Sequence, residues 1–243
     1  TVDLSKNTAL KTLNMSDNTL SSITLPQTET LTTLLLNNNL LTSVDLTKNT
    51  GLTELNVSYN NLMSLNVSKN TALTTLTANS NTVRTISLPQ STTLTTLNVN
   101  SNALTSIDVS NCTALTNLYL GENQLTALDV SKNTKLKEIE CYSNRFTTLD
   151  FSKNSSLRKI SCYYNQIYDV PSGAQNGESF VVNLPNIFQN GFYHGDILFT
   201  TVTDANNLTK EQVSTAISKG WSRKFDDGTT YLGTETSTIE EVE

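Results

Sequence analysis

A period of 21 residues runs through this chain without insertion or deletion from Leu10 to Val170. Leucines at one phase open every unit: Leu10, Leu31, Leu52, Leu73, Leu94, Leu115, Leu136 and Leu157. Each unit reads L-x-x-[LI]-x-φ-x-x-N-x-φ-x-x-φ-x-φ, with φ apolar, followed by five mostly polar residues. Its ninth position is always Asn: Asn18, Asn39, Asn60, Asn81, Asn102, Asn123, Asn144 and Asn165. A unit this short cannot bury its apolar side chains alone, so the copies must stack into a continuous core. Such a stack offers an extended surface rather than one deep pocket.

The third to sixth residues of a unit alternate polar and apolar, the signature of a short half-buried strand. In Thr96-Leu97-Asn98-Val99, Leu97 and Val99 point inward. Stacking pairs these strands into one parallel sheet. The ninth-position Asn turns the chain out of the strand, and its amide satisfies backbone groups of its own coil and the next that water cannot reach. On this register Asn102 is buried while Asn100 faces outward. A second apolar trio, such as Leu104, Ile107 and Val109, closes the coil in a segment too short for a full helix. Pro26 and Pro89 fall just past that segment, where a missing N–H is tolerated.

Cys141 and Cys162 stand one repeat apart at the sixth, core-facing position, where other units place Met15, Leu36, Val57, Ala78, Val99 and Leu120. Parallel stacked side chains rarely offer a disulfide dihedral, so stacked thiols are favoured over a bridge. Cys112 replaces the Asn of Asn49, Asn70, Asn133 and Asn154, on a different ladder.

The net charge of −6 and the lack of a basic run speak against nucleic acid as a partner, because phosphate binding needs clustered Lys and Arg. No stretch approaches a membrane span. Residues 1–9 match the closing third of a unit, which predicts an upstream cap and a signal peptide outside this sequence. The richness in Thr, Ser and Asn fits a secreted or surface protein.

The unit, the phrase Leu128-Asp129-Val130-Ser131-Lys132-Asn133-Thr134 and the two stacked cysteines resemble the leucine-rich repeat. More closely, they resemble the bacterial cysteine-ladder subclass of internalin J and of many Bacteroidetes surface proteins. The resemblance covers roughly residues 1–172. It implies a curved right-handed coil with one parallel β-sheet on its concave face and few or no helices in the repeats. It also implies an extracellular or cell-surface setting, and adhesion in several members. Only two ladder cysteines are present, with aliphatic residues in the earlier units.

Residues 1–172 are thus expected to form the solenoid, with a partial repeat over 1–9 and eight repeats from residue 10. Residues 173–232 are expected to form a small α+β cap, and residues 233–243 an acidic tail or linker. Within the cap, Ser179–Leu184 and Asp196–Thr200 read as strands. Thr209 opens a helix over about 209–219 with a capping box to Gln212. Trp221–Phe225 and Thr229–Leu232 flank the turn Asp226-Asp227-Gly228.

Catalytic signatures are missing from the sequence. The one histidine, His194, lies in a Gly-rich loop without the companions a zinc site or a triad needs. Glu138 and Glu140 sit on one strand face, but nothing in the pattern implies a pocket that would tune them for glycoside hydrolysis. The chain reads as a non-enzyme with no cofactor or metal, and as a monomer. Its outward sheet positions are bland until the last three units, with Leu35 and Tyr59 as isolated exceptions. There they become Asn117, Tyr119, Gly121 and Glu122, then Glu138, Glu140, Tyr142 and Ser143, then Lys159, Ser161, Tyr163 and Tyr164. Tyrosines beside carboxylates suit a face that recognises a protein or a glycan. The same residues are also consistent with compositional drift, the rings packing across strands, or with a spacer that projects another domain.

Overall fold

A computed structural model describes residues 1–146, 148–157, 159–162 and 165, together with the strand backbones Val181–Asn183, Gly195–Leu198 and Trp221–Lys224. Within these residues the chain is a solenoid of stacked coils with no helix. Each repeat contributes one three-residue strand at its third to fifth positions, from Thr12–Asn14 through Asn117–Tyr119 and Glu138–Glu140 to Lys159–Ser161. The eight strands join in one parallel sheet at a constant offset: Leu13 faces Leu34, Leu76 faces Leu97 and Ile139 faces Ile160. An offset of one whole period keeps every apolar residue on the same side. A slip by a single residue would turn the core face outward.

The central Leu or Ile of each repeat strand is buried, and its neighbours are partly or fully exposed in seven of the eight; in Lys159–Ser161 the third residue is buried as well. The core also includes the closing segments, which in the seventh repeat supply Phe146 and Phe151, both fully buried. Closing segments are extended, as their spacing requires. Some pair with each other on the opposite side of the coil, as Ser64–Asn66 does with Thr85–Ser87.

The long sheet does not stop at the eighth repeat. Gly195–Leu198 pairs in parallel with Lys159–Ser161, and Trp221–Lys224 pairs in parallel with Gly195–Leu198. Of the four strands expected beyond residue 172 in the sequence, three have described residues, and two of these extend the repeat sheet. The third, Val181–Asn183, pairs with the closing segment Thr148–Asp150. The expected helix over 209–219, the second arm of the turn, His194, Tyr163, Tyr164 and the acidic tail lie outside the described residues.

The ninth-position ladder works in one direction. In Asn144 the amide donates to the carbonyls of Cys141 and Tyr142 in its own coil and of Leu120 in the preceding coil, and Oδ1 accepts the Leu125 N–H. The same set recurs at Asn39, Asn60 and Asn123. The partner coil is therefore the preceding one, not the next. Asn18 shows why: its amide reaches only Met15 and Ser16 of its own coil, and it is exposed. Asn81 and Asn102 keep the bonds but are half-buried.

A second ladder lies past the closing segment. Asn49, Asn70, Asn133 and Asn154 are buried there, each donating to two carbonyls of preceding turns, as Asn133 does to Val109 and Cys112. Cys112 takes an Asn place and points its Sγ at the Pro89 carbonyl, 3.5 Å away. All three cysteines are buried thiols without a disulfide. Burial pushes the Cys112 thiol up to about 11 and Cys162 up to about 12, and it raises Cys141 well above the ordinary thiol value. These are inert core groups, because the reactive species is the thiolate.

Candidate ligand-binding face

Seven turns off the sheet share one unusual feature. Asp17, Asn38, Tyr59, Ser80, Ser101, Glu122 and Ser143, at the eighth position, all have φ between 49° and 58°. None is glycine, although this left-handed region favours it. The conformation aligns the backbone so that coil-to-coil bonding continues through the turn: the Glu122 N–H donates to the Tyr142 carbonyl at 2.9 Å. The eighth side chain is left at the rim of the sheet.

On the sheet itself, the register brings Asn117 beside Glu138 and Glu138 beside Lys159, with Tyr119 beside Glu140 in the adjoining row. Glu138 is the hub. Its Oε1 takes the Lys159 ammonium at 2.5 Å, and its Oε2 accepts from Asn117 and from the Tyr119 hydroxyl, both at 3.2 Å. Asn117 also donates to the Tyr119 oxygen at 3.0 Å. Glu140 is less fully engaged. It meets Lys159 at 3.5 Å and accepts from the Asn100 amide at 3.1 Å. Hydrogen bonding to Glu138 holds the Lys159 ammonium above its usual range, and burial raises the Tyr119 hydroxyl, so both stay protonated donors.

Tyr142 sits one row away. A methyl group added to Gly121 would meet its ring atoms at 2.5 Å, so the ring lies against the bare backbone of the preceding coil. Glu122 stands apart from the hub and accepts the Ser101 hydroxyl at 2.5 Å.

The structure thus brings Tyr119, Glu138, Glu140 and Lys159 into one network, with Tyr142 and Glu122 at its margin. Two expectations need correcting. Ser161 is buried rather than outward, because its strand is covered by a further strand of the sheet. Asn100 is not a bare surface residue: its Oδ1 accepts the Gly121 N–H at 2.7 Å, and it is half-buried like Asn102. Sequence reasoning passed over Asn100 because its role is set by residues one and two repeats later. Among the described residues, no three His, Cys, Asp or Glu side chains group to hold a metal ion, and no helix is long and apolar enough to cross a membrane.

No family model and no curated protein matches the sequence. Solved structures do match. The leucine-rich repeat domain of APL1B aligns at 26% identity with a TM-score of 0.59, covering 81% of this chain and 58% of that one. This is a leucine-rich-repeat solenoid. Internalin C2 from Listeria monocytogenes aligns at 26% identity with a TM-score of 0.50, over 72% of this chain and 80% of that one. The leucine-rich effector protein YopM from Yersinia pestis aligns at 21% identity with a TM-score of 0.62, over 85% and 54%. The chain therefore spans a little over half the length of the APL1B and YopM structures. The repeat read from the sequence thus has structural counterparts in fold, and Cys141 and Cys162 are buried at the same position of adjacent coils.

Proposed function

We propose that this solenoid is a secreted or cell-surface binding module that takes a protein ligand on the concave sheet face of its last three repeats. One observation carries the reading. The face is a bland run of Thr, Asn and Ser through the middle coils, and it becomes a pinned aromatic and charged network at Asn117, Tyr119, Glu138, Glu140 and Lys159. Side chains already fixed by neighbours lose little further entropy when a partner lands on them, so more of the contact energy is left for affinity. Tyr142 adds a rigid amphipathic ring, the type of group that dominates binding energies at interfaces. Tyr163 and Tyr164 belong to the same reading by register. Glu138 and Glu140 share Lys159 as a counter-ion, an arrangement suited to recognition rather than to glycoside cleavage.

The test is binding of the whole chain to an array of extracellular proteins and, in parallel, to a glycan array. The expected result is a protein hit that loses at least tenfold in affinity with Tyr119→Ala or Tyr142→Ala at an unchanged melting temperature. A hit confined to glycans would replace the ligand class. Silence on both arrays would favour a spacer.

A further inference from the structure

The seventh position of the repeat forms a row of its own beside the sheet: Ser16, Asn37, Ser58, Asn79, Asn100, Gly121 and Tyr142. In the early coils this row pairs with itself. The Ser16 hydroxyl donates to Asn37 Oδ1 and the Ser58 hydroxyl to Asn79 Oδ1, each at 2.7 Å. The pattern changes at Gly121, the only glycine of the row.

Backbone geometry does not demand a glycine there. The five preceding coils carry Ser or Asn at the same place, and Gly121 lies outside the left-handed region that favours glycine. What the missing side chain provides is room. A Cβ on Gly121 would come within 2.5 Å of Cε1 and Cζ of Tyr142 and within 2.9 Å of Cδ1. Carbon atoms in good contact stand about 3.5–4.0 Å apart. One edge of the Tyr142 ring therefore rests on the bare Cα of the coil before it.

The neighbouring residues have adapted to the same gap. In the coils of Ser16, Ser58 and Asn100, the seventh-position N–H donates to an Asn two residues back, namely Asn14, Asn56 and Asn98. Tyr119 holds that place in the coil of Gly121 and brings no carboxamide. Asn100 stands in for it. Its Oδ1 accepts the Gly121 N–H at 2.7 Å, and its amide donates to Glu140 Oε2, two coils on, at 3.1 Å. The row thus stops pairing with itself and joins the charged network at Gly121.

We infer that Gly121 is the positioning residue of the binding face, its absent side chain seating the Tyr142 ring against the preceding coil. The inference rests on the reading proposed above and deepens it, because Gly121 acts through Tyr142 rather than through a contact of its own. A ring held along one edge by main chain has less rotamer freedom to lose when a partner arrives.

Gly121→Ala tests this. The methyl offers Asn100 no hydrogen bond, so the variant isolates the ring. Other coils carry a Cβ here, and the melting temperature should stay within about 2 °C of wild type. The first readout needs no ligand. In the whole chain with isotope-labelled tyrosines, the ring resonances of Tyr142 are those absent from Tyr142→Phe. They should shift in Gly121→Ala while those of Tyr59 stay in place. Unmoved Tyr142 resonances overturn the inference. The second readout takes as its probe the protein recovered from the extracellular-protein array. Its affinity should fall about tenfold in Gly121→Ala. Added to Tyr142→Ala, the same change should alter affinity by less than about twofold, because no ring is left to displace. A shifted ring with undiminished affinity, or an equal loss in both backgrounds, removes Gly121 from the role. An array that yields no protein sinks the binding reading, and the Tyr142 resonances then decide the positioning role alone.

Discussion

At the corner that follows the long sheet, Asn144 uses both ends of its amide, accepting from Leu125 and donating to three carbonyls across two coils. At the corner that follows the closing segment, Asn133 donates to two carbonyls, and its Oδ1 is buried with no partner among the described residues. Asn70 and Asn154 repeat that half-used arrangement. The ladder that uses all of its groups keeps Asn in every repeat. The ladder that uses half of them admits Thr28, Ser91 and Cys112. A position tolerates substitution to the extent that its polar atoms lack an indispensable partner.

The comparison can be broken most directly at Asn144. Asn144→Ala strands the Leu125 N–H in the core, at about 1–3 kcal/mol for a buried group left unpaired, and takes one of two amide donors from each of the Leu120 and Cys141 carbonyls, which keep Asn123 and Asn165. Unfolding in urea should show a loss of about 2–4 kcal/mol with an unchanged slope. Asn133→Ala should cost less, about 1–2 kcal/mol, because it also removes an unpartnered buried oxygen. Equal losses at the two sites would erase the distinction between the ladders.

The thiols sharpen it further. Burial raises Cys112 to about 11 and Cys162 to about 12 in the folded chain, against 9.0 unperturbed. A raised thiol contributes stability that is complete below pH 9.0 and drains away as pH rises through the folded values. Unfolding free energies measured from pH 8 to 11 should fall, and Cys112→Asn should fall less steeply than the wild type. A parallel pH dependence would mean that Cys112 titrates alike in both states. The smallest effect is expected for Cys112→Asn at pH 7, within about 1 kcal/mol, since the neighbouring ladder members already accommodate Asn at this place.

Much of this architecture is legible because its cause is periodic. The phase of Leu97 and Val99 fixes the core face, and an unbroken spacing of 21 fixes the strand register, hence the rows that put Glu138 beside Lys159. The left-handed turn was hidden, because Asp17, Tyr59, Ser80 and Glu122 share no side-chain property that announces it. It is imposed by the need to continue backbone bonding between coils, and that need is tertiary. The unsatisfied Asn oxygens were hidden for a similar reason: a residue name gives its donors and acceptors but not which of them finds a partner. The exposed apolar side chains are half visible in the sequence, where Leu35 and Tyr59 stand out as exceptions on the face. Leu40 and Met63 fall at positions whose exposure is known only once the coil is closed.

The eighth-position turns have one further consequence. A left-handed backbone costs about 1–2 kcal/mol for an ordinary L-residue, and each coil meets that cost through main-chain bonds that do not depend on which side chain is present. The stack thereby separates what holds it together from what it displays. Exchanging Ser80 for Glu or Ser101 for Tyr, both already present at equivalent turns, should leave the coil intact while rewriting the rim of the face. The molecule is in effect a rack with interchangeable labels, open to diversification one coil at a time.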